Sequence, residues 1–141
     1  WLQERSSLKV RSAVHGDGLQ AGSILVAATN DHLVMRNDQR LVYRAEPENS
    51  PYRPSVDALF DSLAQHWPSS GVAVVLTGIG RDGAAGLLKL RQRGWHTVSQ
   101  DEKTSVVYGM PMAAAALGAA KRILPLDEIA EHIAEQVRRL A

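Results

Sequence analysis

The chain has 141 residues, 45% of them hydrophobic and 22% charged, with 16 Lys and Arg against 15 Asp and Glu. That is one domain's worth of ordinary globular composition, and a net charge of +1 with scattered basic residues gives no electrostatic footprint for nucleic acid or an acidic membrane. The lack of cysteine excludes disulfides, thiolate metal sites and cysteine nucleophiles, and no apolar run approaches the roughly 20 residues of a membrane span.

The opening Trp1-Leu2-Gln3-Glu4-Arg5 has no initiator Met, no basic n-region and no apolar h-region. It reads as the tail of a helix, so the chain is expected to begin inside a larger, cytoplasmic protein without membrane insertion. Residues 8–14 alternate apolar and polar, as a strand does, and Gly16-Asp17-Gly18 ends them. Residues 24–28 form a short continuous apolar run, the pattern of a buried strand. Leu33-Val34-Met35-Arg36 and Leu41-Val42-Tyr43-Arg44 flank Asn37-Asp38-Gln39-Arg40 and predict a β-hairpin. A loop of turn formers spans residues 47–54, after which Ser55 is placed to cap a helix whose apolar face is Val56, Leu59, Phe60 and Leu63.

The second half is more regular. Val72-Ala73-Val74-Val75-Leu76 predicts a strand buried on both faces. A glycine-rich turn follows at residues 78–83, then a helix over residues 84–93 ended by Gly94, then a strand at Thr97-Val98-Ser99. Pro111 opens an Ala-rich helix, Ile123-Leu124 is a brief strand, and Asp127 caps a last helix with Ile129, Ile133, Val137 and Leu140 at helical spacing. Alternating strands and helices predict an α/β fold: a mainly parallel sheet with helices on both faces, plus the hairpin. Sites in such folds lie at the carboxyl ends of strands, which singles out the loops after Ala28, Leu76 and Ser99.

The loop after Leu76 supports two chemistries. Gly78-Ile79-Gly80-Arg81-Asp82-Gly83 matches the G-x-G-x-x-G pattern of dinucleotide sites, with Asp101 downstream where a ribose-binding acid would stand. Against this, the pattern does not follow a first strand, and Asp82 would repel a pyrophosphate at the helix N-terminus. A carboxylate at that place can instead accept the Nδ1–H of a histidine and leave its Nε2 free as a base. It can also simply cap its own helix, and the residues alone leave all three readings open.

Longer motifs narrow them. Leu76-Thr77-Gly78-Ile79-Gly80-Arg81-Asp82-Gly83-Ala84-Ala85-Gly86 resembles the LTGMGxDGAxG signature of the chemotaxis protein-glutamate methylesterase family. Ser99-Gln100-Asp101 and Val107-Tyr108-Gly109-Met110-Pro111 resemble its AQD and VYGMP motifs, and Arg53-Pro54-Ser55-Val56-Asp57 its RPSVD. Val26-Ala27-Ala28-Thr29-Asn30-Asp31-His32 stands for its IAPGDxH, in a variant that, with Trp95-His96-Thr97, looks most like the surface-sensing (Wsp-type) branch. The resemblance runs from about residue 8 to residue 140.

The resemblance implies a Rossmann-like domain of which residues 1–141 form the C-terminal portion. It implies hydrolysis of glutamate γ-methyl esters on chemoreceptor cytoplasmic domains by a Ser-His-Asp triad, often with glutamine deamidation, under control of an N-terminal receiver domain. By motif match Asp82 is the triad acid. Ile79 stands where the family usually has Met, at a position whose main-chain N–H serves the oxyanion hole; Gly80, His32, Met110 and Pro111 are expected nearby. No metal or cofactor is implied. The family's GASxGG nucleophile turn and Q-H base motif are absent from these residues, so the isolated chain is expected to be inactive. A non-catalytic regulatory module of the same fold is the remaining alternative. On the residues alone His32 reads as an exposed loop histidine, and His15, His66, His96 and His132 as surface or packing residues without metal-ligand spacing.

Overall fold

A computed structural model describes residues 1–140, which divide into two compact units, residues 1–67 and the described residues from 68 onward. In the first unit a short 3-10 turn, Gln3–Arg5, precedes β1 (Lys9–Ser12), β2 (Asp17–Gly18), β3 (Ser23–Val26), β4 (His32–Met35), β5 (Arg40–Arg44) and α1 (Val56–His66). β1 pairs with β3 in parallel, while β2, β5 and β4 form a separate antiparallel sheet in that order. The predicted hairpin is β4–β5, with Met35 opposite Leu41 and Gln39 turning the chain at φ 64°.

Two expectations in this unit need correction. Residues 16–18 do not merely end a strand, because Asp17 and Gly18 pair with β5. The run expected to be buried forms β3, which starts one residue earlier and ends two earlier, and Ile24 and Val26 stay more than a third exposed. The reason is pairing: β3 has only β1 as a partner in a two-stranded sheet, and alternation turns every second side chain to the uncovered face.

β4 shows the opposite outcome, since all four of its residues are buried. α1 lies along it, and Ala13, Leu33, Met35 and Leu41 form a core against which Leu59, Leu63 and Trp67 pack. Ser55 caps α1 as predicted, its hydroxyl accepting the Ala58 N–H at 3.3 Å. Tyr43 on β5 reaches back to the other sheet, donating to the Ala13 carbonyl at 2.7 Å and accepting the Ala28 N–H at 3.1 Å.

The second unit holds β6 (Val72–Val75), α2 (Ala84–Gln92), β7 (His96–Gln100), α3 (Met110–Ala116), β8 (Arg122–Leu124) and α4 (Leu126–Leu140). Its strands run parallel in the order β6-β7-β8, each joined to the next through a helix. Alternation gives the sheet two apolar faces. Val74, Val98 and Leu124 meet Ile129 and Ile133 of α4, whereas Ser99 turns toward α3, donating to the Pro111 carbonyl at 3.3 Å. The chain is therefore α/β, with its parallel strands split between two sheets and an additional antiparallel one.

α4 begins at Leu126, so Asp127 sits in its first turn with Glu128 rather than capping it. Val137 and Leu140 are half exposed, unlike Ile129. Fifteen residues of helix run about 22 Å against about 17 Å for the five residues of β7, so the last turns outrun the sheet that would cover them. Among the described residues, no helix is long and apolar enough to cross a membrane.

Candidate active site

The site is built at the carboxyl end of β6. Val75 is buried, and the chain leaves the sheet after it to form the loop that ends in α2. Gly80 and Gly83 hold φ of 88° and 91°, a left-handed backbone that side chains disfavour. Gly83 occupies the N-cap position of α2, so Asp82 stands one residue outside the helix rather than in its first turn. Asp82 is only 5% exposed, while its neighbour Ile79 is 79% exposed. An isoleucine there in place of the family's methionine disturbs no core contact.

A second loop holds the first. Thr77 Oγ1 donates to the Val107 carbonyl at 2.9 Å and accepts the Val107 N–H at 2.8 Å. The Gly78 N–H donates to the same carbonyl at 3.0 Å, and the Gly78 carbonyl accepts from the Met110 N–H at 2.9 Å and the Gly109 N–H at 3.2 Å. Gly78 and Tyr108 thereby form a parallel β-bridge. A Cβ on Gly109 would lie 2.6 Å from the Gly78 carbonyl oxygen and 2.9 Å from the Gly80 nitrogen, so only glycine permits this approach of backbone to backbone. Met110 Sδ fills the space beside Gly78, and Pro111 is buried in the first turn of α3. Ile79, Gly80, Asp82, Met110 and Pro111 thus converge on one loop pair.

His32 lies in the first unit and is fully buried in β4, which corrects the reading of an exposed loop histidine. Its Nδ1 accepts the Ser55 N–H at 3.0 Å, which leaves Nε2 to donate to the Pro47 carbonyl at 3.1 Å. Beside it Arg53 donates to the Ala45 and Pro47 carbonyls and pairs with Asp31 at 3.3 Å. Two motifs far apart in sequence, Asn30-Asp31-His32 and Arg53-Pro54-Ser55, therefore stitch one loop to the head of α1.

Sequence spacing missed one pair in the second unit. His96 on β7 and His132 on α4 meet Nε2 to Nε2 at 2.8 Å, 36 residues apart. Burial, then His132, Lys121, Arg122 and Arg139, push His96 below the usual imidazole value. Among the described residues, no three His, Asp or Glu side chains converge on a point that would hold a metal ion.

Comparison with known proteins places the chain. The family model for CheB methylesterase matches residues 1–133. The chain is 54% identical over 138 residues to a protein-glutamate methylesterase/protein-glutamine glutaminase of Burkholderia orbicola, covering 98% of this chain and 41% of that protein. It is 51% identical over 139 residues to a counterpart of Mesorhizobium japonicum, covering 99% of this chain and 41% of that one. The crystal structure of the Thermotoga maritima CheB methylesterase catalytic domain superposes with a TM-score of 0.84 at 32% identity, over 96% of this chain and 73% of that one. The chain belongs to the CheB methylesterase family. It spans about two fifths of the length of these methylesterase/glutaminase relatives.

Proposed function

We propose that this chain is the acid-bearing portion of a cytoplasmic protein-glutamate methylesterase, and that Asp82 orients and electrostatically supports the histidine of a Ser-His-Asp triad. The observation that supports this most is a carboxylate 5% exposed, at the carboxyl end of a parallel strand, on a glycine loop clamped by its neighbour. A base-orienting acid needs that combination of fixed position and exclusion from bulk water.

In the reaction, the serine oxygen adds to the γ-carbonyl carbon of a methylated receptor glutamate as its proton passes to histidine Nε2. The C–O bond to the methoxy group then breaks, the leaving oxygen takes the proton from the imidazolium, and methanol departs. Water attacks the acyl-enzyme by the same route in reverse, which frees glutamate and restores the serine. Replacing the methoxy group by an amide gives glutamine deamidation. Asp82 holds the Nδ1–H tautomer and stabilises the imidazolium at each proton transfer, and main-chain donors near Ile79 face the developing oxyanion.

The serine and the histidine base are assigned outside these 141 residues. Ser23 opens β3 and so precedes its strand instead of following it, as a strand-to-helix nucleophile turn requires. The partners are the methylated cytoplasmic domain of a chemoreceptor and an N-terminal receiver domain of the same protein; the Wsp-type variant residues point to a surface-sensing system. Methanol release from methylated receptor tests the assignment. The full-length protein carrying this chain should release it, and the 141-residue chain alone should not. Turnover by the isolated chain that is lost on substituting one of its own serines would overturn the assignment.

A further inference from the structure

We propose that Gln100 is a positioning residue that sets the geometry of the Asp82 loop from the end of the neighbouring strand, an inference that rests on the methylesterase reading for its catalytic consequence. Gln100 ends β7, is completely buried, and carries an amide group whose two ends are used by different loops. Its Oε1 accepts the Thr77 N–H at 2.8 Å. Its Nε2 donates to the Thr104 carbonyl at 2.8 Å and to Thr104 Oγ1 at 3.3 Å. The orientation of the amide is fixed by these partners, because an N–H must meet oxygen and a carbonyl must meet nitrogen.

Each end is itself anchored. Thr104 Oγ1 donates to Asp101 at 2.5 Å and accepts the Leu126 N–H at 3.1 Å, and the Thr104 N–H donates to the same Asp101 oxygen at 3.0 Å. Ser105 Oγ donates to the Asp101 carbonyl at 2.6 Å. On the other side Thr77 is the residue through which the second loop grips the first, by its hydroxyl and Val107. Gln100 therefore closes a ring: Thr77 to Gln100, Gln100 to Thr104, and residues 104–107 back to Thr77. Without it the Thr77 N–H and the Thr104 carbonyl each lose a partner at the root of the loop that leads, five residues on, to Asp82. This gives the Ser99-Gln100-Asp101 motif a task that neither nucleophile, base nor acid accounts for.

Two substitutions separate positioning from folding. Gln100→Met keeps length and volume and removes all three hydrogen bonds. Gln100→Glu keeps the acceptor for Thr77 but can donate to Thr104 only when its carboxyl is protonated. In the 141-residue chain, amide exchange at Thr77 and Gly78 should accelerate at least about tenfold in Gln100→Met, while that of Val98 in mid-strand holds. In the full-length protein, kcat for methanol release should fall about tenfold to hundredfold with KM nearly unchanged, the signature of a displaced catalytic group. The rate of Gln100→Glu relative to wild type at the same pH should decline as pH rises from about 5.5 to 8.5 and the buried carboxyl ionises. Unchanged exchange at Thr77 and Gly78 overturns the positioning claim whatever the enzyme does. Accelerated exchange with kcat held within about twofold, or a flat relative pH profile for Gln100→Glu, overturns its catalytic consequence. Failure of the wild-type protein to release methanol overturns the methylesterase reading and with it that consequence, while the exchange measurement still decides the loop geometry.

Discussion

Ser62 shows how one hydroxyl can decide whether a strand is tolerated where it lies. β4 is the outer strand of its sheet, so alternate N–H groups point away from β5 with no ladder partner. One of them, on buried Met35, donates at 2.8 Å to Ser62 Oγ on α1, and that hydroxyl donates onward to the Leu59 carbonyl at 2.7 Å. Ser62→Ala leaves the Met35 N–H buried and unanswered, so it should cost about 1–3 kcal/mol in urea unfolding of the chain. A loss below about 0.5 kcal/mol would mean that water or a relaxed helix replaces the hydroxyl. The same reasoning explains His32. A histidine at a strand end carries no sequence mark of burial, yet its two ring nitrogens meet two backbone groups, the Ser55 N–H and the Pro47 carbonyl that Arg53 also reaches. Asp82 stands out as a candidate site residue only through the run of motif residues around it, since aspartate before a helix serves equally well as a cap.

Among the elements, those set by local periodicity were legible and those set by partners were not. The helices after Ser55 and Asp82, the β4–β5 hairpin and the strands at residues 72–76 and 97–99 all follow from spacing and turn residues. β2 escaped because two residues carry no period, and β3 was expected to be buried because an apolar run does not record how many strands will flank it. The His96–His132 pair is the long-range case: it joins β7 to α4 across 36 residues, and no spacing rule reaches that far. It also gives α4 a pH dependence. Lys121 and Arg122 beside the strand and Arg139 on the helix disfavour a charged His96, while Glu128, Glu131 and Glu135 line the cleft next to His132, with Glu135 held by Arg139 at 3.0 Å. The folded value of His96 lies below its unfolded one, so the contribution is fully present above the unfolded value of about 6.5 and is lost as pH falls through the lower, folded value. Melting temperature should therefore drop more steeply between about pH 7 and 5 in wild type than in His96→Gln, which shares every carboxylate but not this group. Parallel pH profiles for the two proteins would show that the pair is energetically silent.

At the scale of the whole molecule, family membership and site chemistry meet in one residue. Family membership follows from matches over nearly the entire chain, including a TM-score of 0.84 with a CheB catalytic domain; the reaction proposed here turns on Asp82. The direct test is Asp82→Asn in the full-length protein, with turnover and melting temperature measured on the same preparation. Asparagine preserves shape but favours the wrong imidazole tautomer and cannot stabilise the imidazolium. Methanol release should fall about 10²- to 10⁴-fold while the melting temperature holds. Turnover retained within about threefold in a folded variant would contradict the account, and would leave Asp82 as a residue that only shapes the entrance to its helix.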